Sequence, residues 1–321
     1  MTSTWFTTRA IRNRPALTAA AGATCIASSS TLVLLSDASP ATVAVFRCAY
    51  ALPVLAAMML REDRRLGPRS SRDRWLAAGA GVFFGIDLIF WHLTIGAAGA
   101  GIATVLGNLQ VVVVGFAAWW LLGEHPSRRL LLAVPVVLAG VVLISGLVGE
   151  DAYGENPALG VLFGVATSIA YAGFLLVLRR GARDLRRVAG PLCDSTAVAI
   201  IVSVALAPLT GGLDVVPSWP SHGWLLLLAI TSQVIGWLLI SVSLPRLPAA
   251  LTSMILLLQP VISIGIAAAV LGERPSLLQL VGCVIVLAGI VVATTGGRHD
   301  QLPEPDVPAV RARAENTVLD R

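Results

Sequence analysis

The sequence predicts an all-α integral membrane protein whose ten transmembrane helices form two inverted five-helix repeats. Composition is the first reason: 56% of the 321 residues are hydrophobic, 13% are charged and the mean hydropathy is +0.82. A soluble domain carries about 25% charged residues, so the bilayer is the expected solvent. The other two reasons are a series of ten apolar segments and a stretch of sequence that occurs twice.

The apolar segments are each about 20 residues long, which is the length that an α-helix needs to cross the hydrocarbon core. In lipid, backbone polar groups must pair within their own segment, so the segments are predicted to be helices. The first segment follows three arginines, but it has the length of a span rather than that of a signal peptide. The predicted helices are roughly 16–36, 41–60, 75–97, 101–122, 128–148, 158–178, 189–209, 223–243, 248–271 and 276–296.

The duplication sets the architecture. Leu122–Val142 and Leu271–Val291 are identical at 11 of 21 positions, with a constant shift of 149 residues. Five helices make one copy, and because five is odd, the second copy must cross the membrane in the opposite sense. We therefore assign 16–148 to the first repeat, 149–157 to an outer linker and 158–296 to the second repeat. Inverted repeats of this kind place a substrate site near the midplane, between the copies.

The distribution of arginine predicts the orientation. The chain has no lysine, and 21 of its 23 arginines fall before the first helix, in alternate loops or after the last helix. By the positive-inside rule, the N-terminus (1–15) and the tail (297–321) are cytoplasmic, and the protein is a multi-pass protein of the plasma (inner) membrane. The polar, proline-containing tail is expected to be disordered. The basic pI of 9.6 is thus a topology signal and indicates no nucleic-acid partner.

The repeated L-G-E-x-P-S motif is typical of a tight helical hairpin. Its glycine can end one helix with a positive φ, and its proline suits the first turn of the next helix. Its glutamate is expected near the positive end of that next helix, with a gating or proton role as the alternative. A catalytic carboxylate pair is excluded, because the two copies lie on opposite faces of the membrane. The motif residues are Gly123, Glu124, Pro126, Gly272, Glu273 and Pro275.

Ionisable side chains within the predicted spans are few, and such groups usually face the bundle interior or a cavity. Arg47 and Asp87 are expected at similar depth, and a structural ion pair is the first interpretation. The alternatives are an anion-binding role for Arg47 and a substrate- or proton-binding role for Asp87. Trp91 shares a helix face with Asp87 at four residues' spacing. His92 is turned about 100° from Trp91 and is assigned a structural hydrogen bond, with a proton relay as the alternative.

Other polar and aromatic residues within the spans complete a predicted solute site. Asn108 is assigned to the cavity, and Gln233 and Trp237 repeat the spacing of a polar residue followed by tryptophan. Close-packing glycines occur as G-x-x-x-G pairs in the third and sixth helices, and a homodimer is left open. The residues predicted to contact the solute are Asp87, Trp91, Asn108, Tyr171, Gln233 and Trp237.

No cofactor or metal is indicated. The four cysteines lie in apolar runs without the spacing of a zinc site or a disulfide framework. The lack of lysine excludes Walker-type phosphate loops and Schiff-base chemistry. An intramembrane enzyme would need a nucleophile with its base or a set of metal ligands, and no H-E-x-x-H or G-x-S-x-G motif occurs.

These features together resemble the ten-helix, EamA-type branch of the drug/metabolite transporter superfamily. The resemblance is carried by the two LGE-x-P…LAG hairpins, Leu258-Gln259-Pro260, Phe46-Arg47 and the topology, over about 16–296. It implies carrier-type transport of small metabolites, often export of amino acids or drug-like compounds. It also implies a central cavity lined mainly by helices 1, 3, 4, 6, 8 and 9. Helix 4 departs from the pattern, with Val111 where helix 9 has Pro260.

The prediction is therefore a secondary active transporter, and not an enzyme, that exports a small metabolite or drug-like solute. It would work by alternating access, one five-helix half rocking against the other around the midplane site. The expected partners are the solute, the lipid bilayer and protons as coupling ions. An importer or a lipid flippase of the same fold is the alternative, followed by an intramembrane enzyme or a membrane scaffold.

Overall fold

The computed structural model describes residues 14–110, 112–114, 116–117, 128–145, 148, 152–181, 186–243, 255–256 and 258–294. These residues form ten helices in the predicted order and no strand. Residues 1–13, the tail from 295 and the first copy of the L-G-E-x-P-S motif lie outside them. Gly123, Glu124 and Pro126 belong to that first copy.

The helices have the following bounds. They are α1 (Pro15–Ala27 and Ser29–Ser36), α2 (Pro40–Leu66), α3 (Ser71–Ala98), α4 (beginning as Ala100–Gly107), α5 (Arg128–Ile144), α6 (Pro157–Gly181), α7 (Ala189–Leu206), α8 (Ser221–Leu228, Ala229–Gly236 and Trp237–Ser243), α9 (Leu258–Ile266 and Ala267–Leu271) and α10 (Leu277–Thr294). Ala229–Gly236 and Ala267–Leu271 are π-helical. Helices α1, α2, α3, α6, α7 and α8 are long and apolar enough to cross a membrane, and the described parts of the other four are shorter apolar helices.

Local sequence explains where the second and third helices begin. Ser39 precedes Pro40 and its hydroxyl accepts a hydrogen bond from the Thr42 N–H at 3.2 Å. Ser70 caps α3 in the same way, through the Asp73 N–H at 3.1 Å. Serine at the cap satisfies a backbone donor that has no partner within the helix, and proline at the first position lacks such a donor.

Helices α5 and α10 are equivalent by sequence, and they pack against each other in opposite directions. Gln279, in the first turn of α10, donates a hydrogen bond to the carbonyl of Ile144, the last residue of α5. The pair crosses closely: a Cβ on Gly140 would lie 2.8 Å from the Gly282 carbonyl oxygen, and one on Gly289 would lie 2.6 Å from a Val137 methyl. The antiparallel contact confirms that the repeat is inverted, and the glycines let the two helices pack closely.

The two ends of the bundle can be distinguished by the joints that they contain. The Gly99 end, as we call it, carries the α1–α2, α3–α4, α5–α6, α7–α8 and α9–α10 joints. The Arg69 end carries the α2–α3 and α6–α7 loops. The arginine distribution predicts that the Arg69 end faces the cytoplasm.

Hydrogen bonds and ion pairs of charged side chains connect the two loops of the Arg69 end and the helices beside them. The Glu62 carboxylate accepts the three backbone N–H groups at the start of α7, each at 2.9 Å. Arg69 pairs with Asp194 at 2.8 Å, and Arg187 pairs with Asp63 at 2.8 Å. Because α2 belongs to the first repeat and α7 to the second, these bonds tie the repeats to each other.

The repeats interdigitate rather than forming two separate halves. The most extensive helix contacts join α3 to α6, α5 to α10, α3 to α7 and α2 to α7, and each joins one repeat to the other. The G-x-x-x-G pairs serve these internal contacts: Gly85 of α3 meets α7, and Gly164 of α6 meets Leu106 of α4. The expectation that one intact five-helix half rocks against the other does not fit this packing, because such a motion would break the largest interfaces.

Candidate functional site

A cavity of about 220 Å³ lies about halfway along the helices. Its walls come from α1, α3, α4, α6, α8 and α9, which are the helices expected to line it, and also from α2. Five of the six predicted solute contacts reach its wall. They are Asp87, Trp91, Asn108, Tyr171 and Trp237.

Asp87 places a carboxyl group on the cavity wall, where it is only 7% exposed. Its backbone carbonyl accepts a hydrogen bond from Thr167 of α6, but within the described part of the chain nothing hydrogen-bonds to its carboxylate. The expected ion pair with Arg47 is not formed, since these two side chains do not approach within 4 Å. Both side chains instead line the cavity, and no side chain within the described part of the chain bonds the Asp87 carboxylate.

Arg47 is the residue that brings α2 to the cavity, and it is 3% exposed. Its Nη2 donates to Gln233 Oε1 at 3.2 Å, and its guanidinium carbon lies 5.7 Å from the centroid of the Trp91 ring. Its Nε and Nη1 have no hydrogen-bond partner. Burying a guanidinium that has no salt-bridge partner costs desolvation free energy.

Gln233 differs from the prediction that it contacts the solute directly. It is fully buried behind Arg47, and its Nε2 donates to Thr196 Oγ1 of α7 at 3.4 Å. The π-helical part of α8 contains Gln233, whereas Trp237 begins the α-helical part that follows. Trp237 lines the cavity, whereas the side chain of Gln233 is taken up by its hydrogen bonds to Arg47 and Thr196 and does not line it.

Aromatic side chains form one wall of the cavity. Trp237 lies edge-on to Phe174 and to Tyr171, with ring centroids 5.8 and 6.3 Å apart. Phe84 stacks on Phe174 at 4.7 Å. Aromatic pairs at these distances stabilise each other beyond the area that they bury, so this wall is a rigid, mostly apolar surface.

Two polar residues of α3 and α4 make local contacts. His92 is turned away from the cavity, and its Nδ1 donates to the carbonyl of Pro40 at 3.1 Å. The structural hydrogen bond expected of His92 is therefore present. The Asn108 amide donates to the Thr104 carbonyl of its own helix at 2.8 Å, which leaves its side-chain oxygen for the cavity.

Three hydroxyl groups join α1, α4 and α9 next to the cavity, on the side of the Gly99 end. Ser263 Oγ lies 2.8 Å from Ser30 Oγ and 2.9 Å from Thr104 Oγ1, and Thr104 also lines the cavity. All three side chains are buried. Their mutual hydrogen bonds satisfy these polar groups without water and hold the three helices together.

Glu273 lies at the Gly99 end, where it is bonded to the first residues of α4. Its two carboxylate oxygens accept the N–H groups of Ala100 and Gly101, at 2.7 and 3.2 Å, and the side chain is only 3% exposed. These donors are the first two residues of α4, so a charged group of the second repeat caps a helix of the first. Gly99 has a φ of +94°, and a Cβ there would lie 3.1 Å from both Glu273 oxygens.

The structure corrects two expectations for the second hairpin motif. Glu273 caps α4 and not the following helix, α10. Pro275 precedes α10 instead of lying in its first turn, and the Ser276 hydroxyl accepts the Gln279 N–H at 3.2 Å as the cap. Gly272 does end α9 with a positive φ of +66°, as expected.

The α5–α6 linker also packs into the Gly99 end. Gln279 accepts the Tyr153 N–H at 2.8 Å and donates to the Tyr153 carbonyl at 3.0 Å. Burial, together with the nearby Glu273 carboxylate, raises the pKa of the Tyr153 phenol. Glu273, Gln279 and the α5–α6 linker thus pack together at the Gly99 end.

Comparison with known proteins assigns this chain to a family. The model of the EamA-like transporter family matches the chain twice, at residues 13–146 and 158–295. The chain belongs to the EamA-like transporter family. The two matches correspond to the two inverted repeats, and the protein is a multi-pass membrane transporter.

Relatives in this family point in the same direction. The uncharacterized transporter YcbK of Bacillus subtilis (strain 168) is 25% identical over 88% of this chain and 91% of its own length. The uncharacterized transporter YxxF of the same organism is 24% identical over 70% of each chain. A crystal structure with a TM-score of 0.58 and 18% identity covers 88% of this chain and 95% of that one, which shows a shared fold.

Six further polar side chains line the cavity without having been predicted as solute contacts: Ser29, Thr104, Gln110, Thr167, Ser232 and Gln259. Thr167 lies four residues before Tyr171 on α6, so helical spacing could have identified it. Ser29 and Ser232 carry hydroxyls that are common in packed membrane helices. No sequence signal separates these serines from others that only join helices.

Proposed function

We propose that this EamA-family transporter is a secondary carrier that exports a small solute through the central cavity by alternating access. The observation that carries the proposal is the wall of the cavity itself. Arg47 and Asp87 both line it next to aromatic side chains, and neither forms a salt bridge within the described part of the chain. Ionisable groups in a membrane domain are costly unless they serve a solute or ion pathway.

The size of the cavity narrows the solute. Sites for drug-sized ligands have volumes of about 300–1,000 Å³, whereas this cavity has about 220 Å³. A metabolite smaller than a typical drug fits this volume. The aromatic wall would hold the apolar part of the solute, and Asp87, Asn108 and Tyr171 would bind its polar groups.

Alternating access requires the closed Gly99 end to open. The contacts that would have to separate are those of Glu273 with α4 and the hydroxyl contacts among α1, α4 and α9. The firmly joined set of α2, α3, α6 and α7 would then act as the static part, with α4 and α9 moving against it. Asp87, which has no counter-ion at hydrogen-bonding distance, is the group that would carry the exchanged proton.

A substrate screen in proteoliposomes tests this proposal. For an exporter that exchanges protons, vesicles containing inside-out protein and an acidic lumen should accumulate a solute above protein-free vesicles, and collapsing the gradient should abolish accumulation. Accumulation under the opposite gradient would favour the importer. Facilitated movement of labelled lipid without any solute would favour the flippase, and no movement of either would contradict the proposal.

A further inference from the structure

Two buried arginines in this protein differ in their partners. Arg69 and Arg47 are both buried, and each has an unbonded Nε and Nη1. Arg69 is neutralised by Asp194 at 2.8 Å. Arg47 has no carboxylate within 4 Å among the described residues, although it lies on the wall of the cavity. No salt bridge neutralises Arg47 within the described residues, so an anion that enters the cavity would supply a charge of opposite sign.

The guanidinium of Arg47 is held in place by neutral groups. Gln233 accepts from Nη2, and the amide of Gln233 is itself fixed by Thr196 of α7. The Trp91 ring supports the guanidinium at 5.7 Å, a distance suited to a cation–π contact. A neutral acceptor orients the arginine without cancelling its charge, and the buried donors Nε and Nη1 stay without a hydrogen-bond partner until a ligand reaches them.

We propose that Arg47 is the oxyanion subsite of the cavity and that Gln233 is its positioning residue, so the transported solute is a small organic monoanion bearing a carboxylate. Asp87 lines the same cavity and disfavours a second negative charge, so the other end of the solute carries hydrogen-bond donors. This inference rests on the proposed function, because it names the class of solute that the carrier would move.

The decisive variant is Gln233→Glu, which is nearly isosteric. It places a carboxylate where Arg47 is now held by an amide, so the guanidinium gains an internal counter-ion. If Arg47 does not bind the anion, this variant should bind the probes as the native protein does. If Gln233 positions a free cation for a solute, the variant should fold and yet lose anion binding.

The experiment measures binding by the rise in unfolding temperature of the full-length protein in detergent. The probes are small monocarboxylates, their uncharged amides and phosphate monoesters, each at millimolar concentration. We expect monocarboxylates, but not their amides, to stabilise the native protein, and phosphate monoesters to do so less because they carry close to two negative charges. Binding of the effective anion should weaken between about 10- and 100-fold in Gln233→Glu and in Arg47→Gln. Gln233→Leu, which frees the guanidinium to reorient, should weaken binding less.

Three outcomes would overturn the inference: equal binding of anions and their amides, no binding of any probe, or unchanged anion binding in Gln233→Glu. Carboxylates and phosphate esters are separate arms of the panel, so the oxyanion itself is identified. Anion binding without transport in proteoliposomes would leave the subsite intact and contradict the carrier. Transport of uncharged solutes alone would support the carrier and contradict the oxyanion subsite.

Discussion

Replacing Glu273 with alanine is expected to open the Gly99 end of the bundle and expose the cavity on that side. The substitution removes both acceptors of the Ala100 and Gly101 N–H groups, which are buried in the closed form. A buried donor without an acceptor costs about 1–3 kcal/mol, whereas in an open form water can satisfy both groups. The population of the open form should therefore rise about tenfold or more.

Cysteine labelling measures this change. Asn108→Cys places a thiol on the cavity wall, in a background from which the four native cysteines have been removed. A membrane-impermeant thiol reagent applied to intact cells should label it faster in the Glu273→Ala variant. Glu273→Gln keeps one acceptor oxygen and should give an intermediate rate.

Glu155→Ala is the matched control, because Glu155 is an exposed carboxylate in the α5–α6 linker. It removes the same charge from the same end of the bundle without touching α4. Equal labelling rates in the Glu155→Ala and Glu273→Ala proteins would show that Glu273 does not hold this end closed.

The Asp87→Asn substitution is expected to abolish transport while leaving a folded protein. The Asp87 carboxylate makes no hydrogen bond or ion pair within the described part of the chain, so an amide of the same size breaks no contact. Asparagine cannot carry a proton and cannot pair with a cationic donor. The initial rate of solute exchange in proteoliposomes should fall by at least about tenfold, because one ionic contact or proton step is lost.

Unfolding temperature and expression distinguish function from stability in this variant. Both should match the native protein, and Asp37→Asn, an exposed substitution that also removes one negative charge, should transport normally. Asparagine tolerates the left-handed backbone of Asp37, whose φ is +50°. If Asp87→Asn fails to fold or to insert, the carboxylate has a structural role and the proposed solute site is wrong.

The helices and their order could be predicted from the sequence because hydropathy, length and duplication all act locally along the chain. The same information brought Asp87, Trp91, Asn108, Tyr171 and Trp237 to one cavity. Asp87, Trp91, Tyr171 and Trp237 lie in apolar helices, and Asn108 lies in the turn that follows Ala100–Gly107.

The errors arose where the outcome depends on contacts between distant parts of the chain. Arg47 and Asp87 reach similar depth, but the Gln233 amide and the Trp91 ring hold the guanidinium apart from the carboxylate. Glu273 is close in sequence to α10, yet the N-terminus of α4 supplies its donors from 172–173 residues away. Gln233 bonds Arg47 of α2 and Thr196 of α7, and no local signal in α8 predicts either partner.

A transport site between the two repeats requires that the duplicated unit crosses the membrane in opposite senses around one cavity. Arg128 and Leu277 are equivalent positions at the shift of 149 residues, they begin α5 and α10, and both are exposed. Single cysteines at these two positions should react from opposite sides of the membrane in intact cells, position 277 from outside and position 128 only after permeabilisation. Labelling of both from the same side would contradict the inverted repeat and, with it, the cavity as a transport site.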